Sequence, residues 1–219
     1  MRIWIYGAPF SGKTTFASQF PGAKILSTDG NADYLFPKED IIRVRDGHEL
    51  SDAMNQLKKN PPKTLIIDTT EYLLDYIRFY FLEKNKVDHE SDIAYKGYGM
   101  LRQFTWEQIV KLANMSETVI FISHESIYTE KNKFGREITK YAPQFDDKLT
   151  DKMTGLMSVV MRAVKISNEK NDSAYVLHID HTDDELTGHR LPIKETEIPN
   201  SKEAFEANFI TEKGETNNG

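Results

Sequence analysis

The chain has 219 residues, 39% of them hydrophobic, which suits one α/β domain with a core and is too few for two full domains. No apolar run approaches the roughly 18 residues of a membrane span, and the absence of cysteine excludes disulfides and thiolate metal sites and fits a reducing cytoplasm. The net charge of −6 argues against a nucleic-acid partner, but ten acidic and four basic residues lie from Asp180 onward, and the 24 acidic and 24 basic residues before it balance.

The first predicted element is a β-strand at residues 2–6, and because it begins at Arg2 we expect no signal peptide. It leads into a turn that matches the phosphate-binding pattern G-x-x-x-x-G-K-[ST], followed by a predicted helix start. Backbone amides of such a loop bind phosphate, Lys13 can supply charge to the β- and γ-phosphates, and the Thr14 hydroxyl can bind Mg²⁺. The residues predicted to bind ATP are Gly7, Ala8, Pro9, Phe10, Ser11, Gly12, Lys13, Thr14 and Thr15.

A second short strand, predicted at residues 24–27, ends in a polar turn that contains Asp29. In an open α/β sheet the carboxyl ends of the strands face the ligand crevice, so we expect Asp29 to be the catalytic base. The structural alternative for Asp29 is an Asx turn within Asp-Gly-Asn. A third strand is predicted at residues 41–45, and a helix at residues 48–60.

Asp68 closes the next apolar strand, predicted at residues 64–68. Downstream of a phosphate-binding loop, such a carboxylate reaches the Mg²⁺ shell, and we expect its strand to lie beside the first strand. The following residue is Thr69 rather than a water-activating Glu, so the base must lie elsewhere. Glu71 and Glu125 are the alternatives to Asp29.

Two helices, at residues 71–84 and 98–114, precede a continuous apolar strand at residues 118–123. His124 follows that strand, where a polar side chain can contact the γ-phosphate and report hydrolysis to the loop behind it. A structural histidine is the alternative. Beyond His124 the pattern changes to hairpin-like alternation.

The alternation of apolar strands with helices predicts an α/β fold with a mostly parallel sheet and helices on both faces. The later hairpins predict an antiparallel extension at the C-terminal side. We expect one domain at residues 1–210 and a disordered polar tail at residues 211–219.

Four segments together resemble the RecA-like P-loop NTPase core, and more narrowly the phage-encoded RecA-like ATPases associated with single-strand annealing and recombination. They are residues 7–15, 26–31, 65–69 and 119–125. The resemblance implies a homo-oligomeric ATPase that uses ATP and Mg²⁺ and is stimulated by single-stranded DNA, in the cytoplasm of a bacterial host. Related cores commonly carry Glu where this chain has Asp29, a departure that concerns the hydrolysis rate and not nucleotide binding.

In RecA-like cores the DNA-facing loops follow the strands that end here at Asp68 and His124. The second loop, residues 126–141, carries cations that can neutralise phosphates and aromatic rings that can stack on bases, including Tyr128 and Tyr141. An ordinary solvated hairpin is the alternative. The predicted DNA contacts are Lys131, Lys133, Phe134, Arg136 and Lys140.

Arg190 is the predicted arginine finger, a side chain that would reach the nucleotide of a neighbouring subunit. A surface arginine at a strand end is the alternative. Two other functions stay open: a P-loop kinase for a nucleotide or metabolite, and a nucleotide-gated binding module with little hydrolysis. The kinase needs an arginine-rich lid, and no cluster of arginines resembles one.

Overall fold

The structure is a computed structural model that describes residues 1–93, 96–131, 135–167, 173–180 and 182–209. In that part of the chain the strands are β1 (Arg2–Gly7), β2 (Ala23–Ser27), β3 (Ile41–Arg43), β4 (Thr64–Asp68), β5 (Thr118–Lys131), β6 (Glu137–Pro143), β7 (Val159–Ser167), β8 (Ser173–His178), β9 (Gly188–His189) and β10 (Glu197–Pro199). The α-helices are α1 (Lys13–Ser18), α2 (Gly47–Lys59), α3 (Thr70–Asn85), α4 (Gly97–Ala113), α5 (Asp147–Leu156) and α6 (Lys202–Asn208). The predicted disordered tail lies outside the described residues.

The central sheet runs in the order β10-β8-β7-β1-β5-β4-β2-β3. The six strands from β7 to β3 are parallel, and β8 and β10 continue the sheet in antiparallel pairing. Parallel strands are covered on both faces and so read as unbroken apolar runs, as the strands of this chain do. The predicted α/β fold, with its antiparallel extension, is confirmed.

Helices cover both faces because side chains along each strand alternate in direction. In β1, Trp4 and Tyr6 pack on one face with α2, α3, α4 and α5. Ile3 and Ile5 pack on the other face with α1 and α6. No helix in the described part of the chain is long and apolar enough to cross a membrane.

The expectation that the Asp68 strand lies beside the first strand is wrong, because β5 lies between them. Val119 of β5 pairs with Arg2 of β1 on one side and with Leu65 of β4 on the other. The apolar run of β5 is fully buried from Val119 to Ile122, as befits a strand bonded on both edges and covered on both faces. Asp68 and the phosphate-binding loop therefore lie on either side of β5, where Ile122 pairs with Asp68 and His124 pairs with Gly7.

Candidate nucleotide-binding site

The loop after β1 needs glycine at both ends. Gly12 has φ of 90°, in the left-handed region, and caps the N-terminus of α1. A Cβ atom on Gly12 would lie 2.6 Å from Asn200 Nδ2, and one on Gly7 would lie 2.3 Å from the carbonyl oxygen of Ala163. A side chain at position 7 or 12 would therefore clash with the atoms packed against this loop.

The Lys13 ammonium lies beneath this loop. Its Nζ donates hydrogen bonds of 2.8 Å to the carbonyl oxygens of Gly7 and Ala8, and the residue is buried. Burial lowers the pKa of Lys13, and the carboxylates of Asp68, Glu71 and Glu125 oppose that effect. The Lys13 cation at the loop is thus within electrostatic reach of three carboxylates.

Thr14 and Asp68 provide the predicted metal-binding oxygens. Thr14 Oγ1 donates a hydrogen bond of 2.7 Å to Asp68 Oδ2. Burial raises the pKa of the Asp68 carboxyl to about 6, and the Thr14 hydrogen bond acts against this. Among the described residues no three His, Cys, Asp or Glu side chains could hold a metal. The Thr14 hydroxyl and the Asp68 carboxylate fit Mg²⁺, which is usually held by one or two carboxylates together with substrate phosphates and water.

Asp29 lies at the same edge, after β2, which pairs with β4 so that Ser27 is opposite Asp68. Its Oδ1 accepts a hydrogen bond of 3.0 Å from the Asn31 amide, and its Oδ2 accepts one of 2.9 Å from Asn31 Nδ2. The Asx turn considered for Asp29 is therefore present. Its role as a base stays a prediction.

His124 lies directly beside the phosphate-binding loop, since it pairs with Gly7 in the sheet. Its backbone amide donates a hydrogen bond of 2.6 Å to Glu71 Oε1. Burial, together with the charge of Lys13, lowers the pKa of the His124 ring below its ordinary value. Both effects favour the neutral form of the ring. The contact between Glu71 and His124 has no signal in the sequence.

A cluster of hydrogen-bonded titratable side chains lies next to this edge and was not predicted. Arg162 Nε donates to Glu125 Oε2 at 2.9 Å, and its Nη1 donates to Glu185 Oε1 at 2.6 Å. His178 Nδ1 lies 2.9 Å from Glu185 Oε1. Burial would raise the pKa of Glu185, but the hydrogen bonds with His178 and Arg162 hold it below its ordinary value. The cluster fixes Glu125 at the start of the hairpin after His124.

That hairpin is formed by the end of β5 and by β6, which pair antiparallel as predicted. Because β5 continues past His124, the hairpin extends beyond the sheet edge that carries the phosphate-binding loop. Lys131 and Arg136 are exposed near its far end. Lys133 and Phe134 lie outside the described residues.

Two residues expected to face DNA contact their own chain instead. Lys140 Nζ donates to the carbonyl oxygen of Asp183 at 2.6 Å and lies 3.7 Å from the Glu130 carboxylate. The ring of Tyr141 is covered by the Arg162 guanidinium, 3.7 Å from the ring centroid. One face of the Tyr141 ring is therefore occupied by a cation and Lys140 is ion-paired within the chain, while contacts of either residue with DNA stay predictions.

Arg190 lies at the opposite edge of the sheet from the phosphate-binding loop. Its amide donates to the carbonyl oxygen of Ser158, which precedes β7, and β7 runs parallel to β1. Its Nε donates to the carbonyl oxygen of Met157 at 2.8 Å, and its Nη2 donates to that of Gly155. Within its own chain Arg190 thus stabilises the end of α5. A role as finger requires a neighbouring subunit and stays a prediction.

Asn200, which sequence reasoning missed, contacts the outer side of the phosphate-binding loop. Its Nδ2 donates to the carbonyl oxygen of Gly12 at 3.2 Å, while its Oδ1 is buried and has no partner among the described residues. Gln19 Oε1 accepts a hydrogen bond of 2.8 Å from the amide of Lys202. These contacts fix α1 and its loop to the segment that joins β10 to α6.

Comparison with known proteins adds a family and several similar folds. Residues 1–191 match the model of a family described as an AAA domain. No curated protein is significantly similar in sequence. A KaiC-like protein from the archaeon Pyrococcus horikoshii OT3 is 17% identical, with 90% of this chain and 83% of that chain covered and a TM-score of 0.46. The flagellar accessory protein FlaH from Methanocaldococcus jannaschii is 8% identical, with 81% and 76% covered and a TM-score of 0.40.

Proposed function

This chain belongs to the AAA domain family, and from that premise we propose that it binds ATP with Mg²⁺ and hydrolyses it to ADP and phosphate. One observation carries the proposal. A glycine-bounded loop that admits no side chain at Gly7 or Gly12 ends in a buried lysine and in the Thr14 hydroxyl, which is bonded to Asp68. Loop amides, one cation and a paired hydroxyl and carboxylate are what a triphosphate with Mg²⁺ requires.

In the proposed reaction the loop amides bind the phosphates, and Lys13 turns from the carbonyl oxygens of Gly7 and Ala8 toward the β- and γ-phosphates. Thr14 and Asp68 would hold Mg²⁺, which supplies charge that neutralises the phosphate oxygens. A neutral His124 can donate a hydrogen bond to the γ-phosphate without adding charge. Hydrolysis also needs a carboxylate that accepts a proton from water.

We further propose that single-stranded DNA, in recombination, annealing or replication, stimulates this hydrolysis through the hairpin of β5 and β6. The hairpin begins at His124 and carries exposed Lys131 and Arg136, and the side chain of Tyr128, on β5, is half-exposed. Cations that follow a phosphate backbone and a ring on which bases stack suit sequence-independent binding. A homo-oligomer, with Arg190 acting as a finger in a neighbouring subunit, completes this proposal.

Two measurements test the proposal for DNA. Changing Lys131, Lys133 and Arg136 together to Ala should weaken binding of single-stranded DNA and flatten its salt dependence, by roughly 0.7 in log–log slope for each phosphate that the variant no longer neutralises. Basal turnover should survive in this variant. Unchanged affinity and slope would show that the hairpin is an ordinary solvated surface.

The alternative functions give different results in one turnover assay with and without single-stranded DNA. A DNA-stimulated ATPase releases phosphate, and faster with DNA. A P-loop kinase forms ADP and a phosphorylated acceptor and releases little free phosphate, and a nucleotide-gated binding module binds ATP with almost no turnover. ADP formation that requires an added nucleotide or metabolite acceptor and yields no free phosphate would favour the kinase.

A further inference from the structure

Besides Asp68, the predicted Mg²⁺ ligand, three carboxylates lie near the predicted phosphate site, and two of them already accept side-chain or turn hydrogen bonds. Both oxygens of Asp29 accept hydrogen bonds from Asn31 in an Asx turn, on a partly exposed loop. Glu125 accepts a hydrogen bond of 2.9 Å from the Arg162 guanidinium. A carboxylate that already accepts hydrogen bonds from its own chain must share or give up one of them to bind and orient a water molecule. These contacts disfavour both as bases.

Glu71, the third carboxylate, lies on a rigid support. The Thr70 and Ser123 hydroxyls are hydrogen-bonded to each other, and the buried indole of Trp4 donates to Ser123 Oγ at 2.8 Å. The first turn of α3 is thereby fastened to β5. The amide of His124 then fixes Glu71 Oε1 at 2.6 Å. A side chain held in this way is already positioned for chemistry.

The second oxygen of Glu71 accepts no hydrogen bond from the described residues. Glu71 Oε2 is buried and lies 3.7 Å from His124 Nδ1, beyond hydrogen-bond distance. The hydroxyl of Thr69 is likewise buried and has no hydrogen-bond partner among the described residues. The Thr69 hydroxyl is close enough to affect the pKa of Glu71, although it does not meet the geometry of a hydrogen bond to it. Buried polar atoms need partners, and one water molecule could bind to both.

The position of this oxygen relative to the loop favours a role in the reaction. Glu71 lies near enough to Lys13 and Asp68 to shift the pKa of each, as Glu125 does for Lys13 and Asp29 does for Asp68. The residue that it contacts, His124, is paired with Gly7 at the start of the loop. Burial raises the pKa of the Glu71 carboxyl above its ordinary value, which makes it a stronger proton acceptor than a solvent-exposed glutamate.

We propose that Glu71, rather than Asp29, is the general base of hydrolysis, an inference that rests on the proposed ATPase function. The oxygen of a water bound at Glu71 Oε2 forms a bond to the γ-phosphorus, and Glu71 takes a proton from that water. The bond from the γ-phosphorus to the bridging oxygen breaks. ADP leaves with the electron pair, and the products are ADP, phosphate and a protonated Glu71 that returns its proton to solvent.

The test compares Glu71→Gln with Asp29→Asn in two measurements, the turnover of ATP and the affinity for a non-hydrolysable ATP analogue with Mg²⁺. Gln keeps an oxygen that can accept from the His124 amide, so the fold and nucleotide affinity should be retained. Turnover should fall by about 10²- to 10⁴-fold. Glu83→Gln is the matched control on the same helix, since Glu83 is exposed and pairs only with exposed His48 among the described residues.

Nucleotide bound after incubation with ATP gives a second readout, since it should be ATP in Glu71→Gln and ADP in the wild type. A loss in Asp29→Asn equal to or greater than that in Glu71→Gln would overturn the assignment to Glu71. If Glu71→Gln loses affinity for the analogue, Glu71→Asp is measured in its place. Intact affinity of Glu71→Asp with turnover lowered about tenfold or more supports Glu71 as the base. Unchanged turnover in Glu71→Asp overturns that assignment. A wild-type protein without turnover contradicts the ATPase function itself, and this inference with it.

Discussion

Thr14 Oγ1 donates a hydrogen bond of 2.7 Å to Asp68 Oδ2, and this bond joins the first turn of α1 to the end of β4 across the intervening strand β5. The two oxygens are the pair that would hold Mg²⁺ beside a triphosphate. Because both belong to the edge that carries Lys13, the bond aligns the metal-binding oxygens with the phosphate-binding loop. The predictions for this site depend on that alignment.

Asp68→Asn should lower the affinity for ATP in the presence of Mg²⁺ without unfolding the protein. The amide oxygen can still accept the Thr14 hydrogen bond, but it carries no charge for the metal. Removing a buried charge from the nucleotide-free protein should raise its melting temperature, because burial disfavours the ionised carboxylate. Titration with ATP, with Mg²⁺ or with EDTA, measures the first effect, and a variant that keeps the full Mg²⁺ dependence would exclude Asp68 as a ligand.

Gly12→Ala should cost both stability and nucleotide affinity. Its backbone is in the left-handed region, and the new Cβ atom would lie 2.6 Å from Asn200 Nδ2. Gly22→Ala is the matched control, since Gly22 has φ of 66° and no atom within 4 Å of its added Cβ atom. The control should lose roughly 1 kcal/mol through backbone strain alone and keep its affinity for ATP. Equal effects of the two changes would refute the close contact at Asn200.

Glu185→Gln should destabilise the protein at pH 7 by about 1–3 kcal/mol, because half-buried Arg162 loses one of its two charged acceptors and keeps Glu125. The pKa of Glu185 is held below its ordinary value of 4.5, so its contribution is complete above pH 4.5 and is lost as the pH falls through the folded-state pKa. The difference in free energy of unfolding between Glu185→Gln and the wild type, measured with urea, should therefore be smaller at acidic pH than at pH 7.

The control for Glu185→Gln is Glu206→Gln. Glu206 is exposed and pairs with Lys202, one turn earlier in α6. Such a pair contributes about 0.3–0.5 kcal/mol. A difference between Glu185→Gln and the wild type that stays constant from pH 7 downward would contradict the coupling of Glu185 to its cationic partners.

The sequence predicted the parts of the site that depend on local chain geometry. A glycine-bounded turn between a strand and a helix is contiguous in sequence, so the positions of Gly12, Lys13 and Thr14 followed directly. The order of the strands was missed, because it depends on which apolar run is hydrogen-bonded along both edges. From the sequence, β4 was expected next to β1, but β5 lies between them. Contacts between distant side chains were also missed, such as Glu71 with the amide of His124, 53 residues away.

The same limit explains the outcome for the hairpin. Its existence followed from alternation, but the pattern of Lys140 and Tyr141 could not reveal what faces them. Asp183 and Arg162 come from later parts of the chain, and they occupy the side chains that had been expected to contact DNA. The sequence shows what a charged or aromatic side chain on a predicted strand can bind. The packing of other segments decides whether that side chain is accessible.

Phosphate release from ATP by the wild type and by Lys13→Ala tests the central claim most directly. Lys13→Ala removes the cation beneath the loop, and Lys59→Ala, on an exposed part of α2, is the matched control. Mg²⁺-dependent release should occur in the wild type and in Lys59→Ala and should fall by about 10²- to 10³-fold in Lys13→Ala, with the folded state intact by circular dichroism. Release at the wild-type rate by Lys13→Ala would contradict hydrolysis at this site.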